Sequence, residues 1–194
     1  MILLSRRRIL QVSPFLGLAM AGNAHSAQLL PTPACDDGDA DLASANDEDP
    51  FFKPRSPERT SLLDSAGGGT KLIVSGMVVS AGCKPLSNTL LDFWQADDGG
   101  QYDNTGFKLR GHQRTDAAGN FRLETIVPGL YPGRTRHIHV KAMSPGGVDL
   151  TTQMYFPDES RNDRDGLFRP DLVMNLVKEA GQQTGHFDFV LKSA

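Results

Sequence analysis

The stretch Asp116-Ala117-Ala118-Gly119-Asn120-Phe121-Arg122-Leu123-Glu124-Thr125-Ile126-Val127-Pro128-Gly129 reads as a turn, a strand and a second turn. Phe121 and Leu123 alternate with Arg122 and Glu124, the period of two that puts apolar side chains on one face of a strand. The same grammar runs in both directions from here. Short apolar or alternating segments fall near Leu72–Val79, Thr89–Ala96, Lys108–Thr115, Arg136–Met143, Leu150–Phe156 and Gly185–Leu191. Val173–Val177 is an eighth candidate, with a helical turn equally open. Turn residues cluster at Gly82–Pro85, Asp97–Gly100, Pro128–Gly133 and Ser144–Gly147. No long segment has a period of 3.6. Seven or eight short strands at this spacing predict an all-β sandwich over residues 71–194.

Upstream the pattern is different. Residues 28–70 are rich in Pro, Asp, Ser and Gly and predict an irregular N-terminal arm. Residues 1–27 have the three parts of an export signal: a basic start with Arg6, Arg7 and Arg8, the 13-residue apolar run Ile9–Ala21, then small residues. That run is too short for a membrane anchor, which needs about 20 apolar residues. Ser5-Arg6-Arg7-Arg8-Ile9-Leu10-Gln11 is similar to a twin-arginine signal, which predicts a periplasmic or secreted protein; Ala24 and Ala27 are both plausible last residues of the leader. Removing its three arginines from the net charge of −3 leaves −6. A mildly acidic domain without a basic stripe argues against nucleic acid and anionic membranes as partners. Cys35 and Cys83 lie in no CxxC or Cys/His cluster, which argues against a structural zinc site. In an oxidising compartment they pair as a disulfide or remain two free thiols.

The chemistry gathers around His137-Ile138-His139. On a strand, residues i and i+2 share a face, so two imidazoles stand side by side, as two ligands of one metal would. The plain alternative is a surface pair. Two of the chain's three tyrosines fall in glycine-rich loops nearby: Tyr131 in Pro128-Gly129-Leu130-Tyr131-Pro132-Gly133, and Tyr102 just past the only tryptophan, Trp94. As half-buried rings they need no explanation. As phenolates they are hard donors that suit ferric iron, and no carboxylate beside the histidines offers the usual ferrous set. Tyr155 reads as core, Trp94 as a packing anchor, and His112 and His186 as solvent-facing. Phe51 and Phe52, between Pro50 and Pro54, read as pegs for the arm or as substrate-pocket residues.

The run Tyr131-Pro132-Gly133-Arg134-Thr135-Arg136-His137-Ile138-His139-Val140-Lys141 resembles the signature of the intradiol ring-cleavage dioxygenases, the group of catechol and protocatechuate 3,4-dioxygenases. Leu91-Asp92-Phe93-Trp94-Gln95-Ala96 leading to Tyr102, then Arg110-Gly111, and Leu150-Thr151-Thr152-Gln153-Met154-Tyr155-Phe156 resemble further family segments in the same order. The resemblance implies that Tyr102, Tyr131, His137 and His139 ligate Fe(3+), that Arg134 is the active-site arginine, and that Gln153 lines the pocket. It also implies a β-sandwich with the iron between its layers. The implied reaction joins a small aromatic diol and O2, splitting the ring between its two hydroxylated carbons, with Tyr131 leaving the iron as substrate binds. The chain departs from the family at Arg136, where many members have Pro, and in its short Tyr131-to-His137 interval. It also leaves no room for the N-terminal dimerisation helices of many members. It resembles instead the compact single-domain exported branch, with oligomeric state open. Two rivals stand beside this reading: a non-catalytic exported binding sandwich, and a copper- or zinc-binding protein using only His137 and His139.

Overall fold

A computed structural model describes residues 42–46, 51–146 and 149–192. The leader and residues 28–41 and 47–50 of the arm, Cys35 and Pro50 among them, lie outside the described residues. Among the described residues the chain is nearly all β: β1 (Lys71–Ser80), β2 (Leu90–Trp94), β3 (Arg110–Arg114), β4 (Asn120–Ile126), β5 (His137–Met143), β6 (Leu150–Tyr155), β7 (Asn175–Glu179), β8 (Gln182–His186) and β9 (Phe189–Leu191). They form two sheets. The larger has the order β4-β1-β8-β7, with β9 also on β1; the smaller has the order β3-β2-β5-β6.

The core lies between the sheets. In the smaller sheet Phe93 pairs with Val140 and both are fully buried. Phe93 meets Phe121 of the larger sheet at a ring-centroid distance of 5.9 Å. That face therefore points inward, and Leu91, Ile138 and Met154 join it in the core. Burying one such side chain contributes roughly 1.5–3 kcal/mol. By alternation Trp94, His137, His139 and Gln153 point the other way. The candidate metal ligands thus stand on the outer face of the smaller sheet, under covering loops. This corrects the expectation of a metal between the layers.

Nine strands form where seven or eight were expected. The segment expected over Gly185–Leu191 is two strands, β8 and β9, both parallel to β1. The break sits where Phe187 packs its carbonyl onto Gly76: a Cβ on Gly76 would lie 1.8 Å from that oxygen. Asp188 Oδ1 then accepts the Met77 amide at 2.8 Å. β7 begins two residues later than the expected eighth segment and pairs antiparallel with β8. Residues 51–70 carry one 3-10 turn, Leu63–Ser65, and lie along the sheets' edges, with Glu58 bridging to His112 and Ser61 to Glu124. Cys83 is disulfide-bonded; the chain's one other cysteine, Cys35, is outside the described residues.

Candidate metal centre

β5 presents His137 and His139 on one face because the strand period is two. Their Nε2 atoms are 3.1 Å apart, and the Tyr102 hydroxyl is 3.1 Å from each. The three atoms form a nearly equilateral triangle. A phenol has one proton, so it cannot donate to both rings. His137 Nδ1 lies 2.6 Å from the Thr135 carbonyl, which only accepts, so Nδ1 carries the proton and Nε2 is a bare lone pair. Burial, then the neighbouring His139 and Arg134, press the His137 pKa down to about 3. The ring is neutral, the state in which imidazole binds metals. Donors about 2.1 Å from one ion and at right angles to each other sit about 3 Å apart, which is the spacing of this triangle. Among the described residues no three His, Cys, Asp or Glu side chains group as a metal site. The donor set here is two imidazoles with phenol, and it fits a hard, oxidised ion such as Fe(3+).

Trp94 holds His139 in place. It faces His139 across the ladder and stacks on it with centroids 4.8 Å apart and planes 4° from parallel. Tyr131 reaches the same place from another loop. Its ring lies 5.5 Å from that of Tyr102, edge to face. The two loops meet backbone to backbone: Gly129 N donates to the Asp97 carbonyl at 2.7 Å. A Cβ on Gly129 would fall 2.3 Å from Gly100 N, and one on Gly100 2.4 Å from Leu130 O. Only glycine fits either position.

Phe51 roofs the phenols. It stacks on Tyr102 at 4.7 Å and meets Tyr131 edge-on at 5.5 Å. The buried Arg110 fixes this roof, donating from Nη1 to the Phe51 carbonyl at 2.6 Å and from Nε to the Asp103 carbonyl at 3.0 Å. Asp103 stiffens the loop after Tyr102 by accepting the Gly106, Lys108 and Thr105 amides, which hold its carboxyl well below the usual range. Phe52 turns aside. It meets Trp94 edge-on at 5.1 Å and lines a neighbouring cleft with Asp92, His112 and Lys141.

Arg134 and Gln153 occupy the β6 side. Arg134 Nε donates to Asp165 Oδ2 at 2.9 Å, and Nη2 to Gln153 Oε1 at 2.6 Å. Arginine has no acceptor, so the Gln153 amide oxygen must face it. The Gln153 Nε2 is left fully buried with no partner among the described residues, on a residue paired with His139. Such an orphaned donor costs about 1–3 kcal/mol. It is what a polar pocket wall looks like before its ligand arrives.

Two further residues belong to this wall: Tyr155, read from the sequence as core, and Asp165, which the sequence does not single out. Tyr155 is fully buried, and its hydroxyl lies 2.9 Å from Gln153 Oε1, 2.8 Å from the Leu167 carbonyl and 2.9 Å from Asn46 Nδ2. Burial pushes its pKa up to about 12, so it remains a phenol and helps fix Gln153. Asp165 accepts from Arg134, the Thr135 amide and the Leu167 amide. No local sequence motif marks it, because Arg134 and Thr135 lie 31 and 30 positions upstream. His112 also departs from expectation: half-buried, its Nδ1 lies 2.8 Å from the Ser56 carbonyl and anchors the arm.

The sequence matches a family model described as Dioxygenase over residues 48–193. It is 35% identical over 153 residues to the protocatechuate 3,4-dioxygenase beta chain of Burkholderia cepacia, covering 64% of this chain and 65% of that one. With the hydroxyquinol 1,2-dioxygenase of Nocardioides simplex it shares 28% over 162 residues, 70% of this chain and 55% of that one. Among solved structures, the dioxygenase domain of a dioxygenase carbohydrate-binding protein fusion from the cellulolytic bacterium Streptomyces sp. SirexAA-E matches with a TM-score of 0.77 at 59% identity, covering 79% of this chain and 100% of that one. The 3-chlorocatechol 1,2-dioxygenase of Rhodococcus opacus 1CP matches at 0.71 with 29% identity, covering 78% and 73%. The chain spans about half to two thirds of the length of the curated relatives it matches. Family model and relatives together define the class, a family of dioxygenases. More narrowly, the chain belongs to the intradiol ring-cleavage dioxygenase family.

Proposed function

We propose that this protein is an exported, Fe(3+)-dependent intradiol dioxygenase that cleaves a catechol-type ring between its two hydroxylated carbons, using O2 and giving a muconate-type diacid. The observation that carries this reading is the 3.1 Å triangle of Tyr102 Oη, His137 Nε2 and His139 Nε2, with Tyr131 beside it.

Tyr102, Tyr131, His137 and His139 would hold the ion. Bound there, ferric iron supplies Lewis acidity: it favours a deprotonated diol and draws electron density from the ring. The protein's own groups do the rest. Tyr131 Oη is the group we assign to take up a substrate proton as it gives way to the diol. Arg134 is held by Asp165 and Gln153 so that it cannot swing away, and its charge opposes the negative charge that develops on the ring. Gln153 Nε2 donates to substrate oxygen, which satisfies the buried amide. Phe51, Trp94 and Tyr131 surround the ligand atoms with aromatic rings, which would keep water from the reacting diol. The N-terminal leader carries the export part of the proposal: a twin-arginine route moves folded protein, so metal can be loaded before export.

The test is oxygen uptake by iron-loaded protein over a panel of diphenols, with product identification. Ring-opened diacids at one O2 per ring support the proposal. No uptake with any diphenol rejects it.

A further inference from the structure

Arg136 is the chain neighbour of His137 but faces the other way, because successive residues along a strand point to opposite faces. Its side chain lies toward the larger sheet, where it lines a cleft of about 100 Å³ with Val127, Leu176 and Gln183. There Nε donates to Glu159 Oε1 at 2.7 Å, and Nη1 donates to the Pro128 carbonyl. The two side chains of the ion pair are only 21% and 23% exposed, so solvent screens it less than a surface pair. The Pro128 carbonyl and the Gly129 amide belong to one rigid peptide plane. Gly129 N donates to the Asp97 carbonyl at 2.7 Å, so that plane is gripped twice, by Arg136 and by Asp97. It is the neck of the Tyr131 turn, which the Arg134 amide closes by donating to the Tyr131 carbonyl at 3.1 Å. Asp97 also shapes the turn before Tyr102. Its amide donates to the Gln101 carbonyl at 2.9 Å, and its Oδ1 accepts the Gln101 amide at 2.9 Å. A continuous series of contacts therefore runs from Glu159 through Arg136 and Asp97 to both tyrosine loops.

We propose that Arg136 is a positioning residue for Tyr131: aimed by Glu159, it fixes the neck of the loop and so sets the Tyr131 phenol against that of Tyr102. The inference rests on the dioxygenase reading and deepens it, since Tyr131 is the ligand assigned to give way to the diol. No hydrogen bond of Arg136 reaches a candidate ligand side chain, so its effect passes through the loop. Arginine suits the task because Nε and Nη1 are donors fixed in one plane and serve two acceptors at once. Lysine offers one compact ammonium on a flexible stem and cannot hold both directions.

The test makes Arg136→Gln and Arg136→Lys, each alone and together with Tyr131→Phe, in the full chain loaded with iron. Iron content, thermal unfolding, the visible spectrum and steady-state kinetics with a diphenol are read for every variant. Both single variants should keep one iron per chain while the tyrosinate-to-iron band shifts and weakens. Their kcat should fall about 10- to 100-fold, the cost of a small misplacement near the reacting atoms, with KM changed far less. In the Tyr131→Phe background the same substitutions should leave the spectrum unchanged, because the group through which Arg136 acts is gone. Should Arg136→Gln fail to fold, Arg136→Lys carries the same comparison. A residue that merely supports the fold would lower the melting temperature and leave the band alone. An unchanged band in the folded single variants, or a change of equal size with and without Tyr131, therefore refutes the inference while the dioxygenase reading stands. A native protein that is colourless at one iron per chain defeats the parent reading, and this inference falls with it.

Discussion

At the scale of single residues, Arg134 and His137 carry the most specific consequences. Arg134 is fixed by Asp165 and Gln153 and has no hydrogen-bond acceptor of its own, so a shorter or uncharged replacement cannot restore the pattern. Arg134→Lys should lower kcat roughly a hundredfold while leaving bound iron unchanged; steady-state kinetics beside metal analysis checks this. His137 predicts an acid response. Its pKa is about 3 in the folded, metal-free chain against 6.5 unfolded. Between those values the unfolded chain holds a proton that the folded one lacks, so falling pH favours unfolding. The metal-free protein should therefore lose thermal stability as pH drops below about 6.5, and His137→Gln should flatten that slope. The histidines and loop tyrosines were readable because residue type and spacing carry their chemistry. Asp165 and Tyr155 were not, because their roles depend on partners brought together only by folding.

At the scale of elements, the site depends on two loops pressed together through Gly100 and Gly129. A side chain on Gly129 would meet Gly100 N at 2.3 Å and Asp98 O at 2.5 Å, both backbone atoms that cannot turn aside. Gly129→Ala should cost about 1–3 kcal/mol and also separate Tyr131 from Tyr102. Thermal unfolding together with the visible spectrum of the iron-loaded variant would show both effects. An unchanged spectrum would mean the loop contact does not position Tyr131. The strands themselves were legible: alternation such as Phe121-Arg122-Leu123-Glu124 needs no tertiary information. The division of the last segment into β8 and β9 was not, since it arises from Phe187 settling over Gly76 on a strand more than a hundred residues away.

At the scale of the whole molecule, the sandwich supplies a rigid outer face, and loops with the arm build the pocket upon it. Alternation gave the sandwich class and set Ile138 toward the core, opposite the paired histidines, whereas the family resemblance put the metal between the layers. How the two sheets pack, seen in the Phe93–Phe121 contact, leaves the histidine face on the outside. The export proposal is tested by replacing Arg6, Arg7 and Arg8 with Lys: fractionation should then find folded enzyme retained in the cytoplasm rather than exported. The most direct test of the account is the visible absorption of the purified protein, taken with its iron content. Tyrosinate bound to ferric iron absorbs strongly in the visible. The protein should be wine-red at one iron per chain, and Tyr102→Phe or Tyr131→Phe should each weaken that colour. A colourless protein holding one iron per chain would contradict the phenolate ligands, and with them the proposed chemistry.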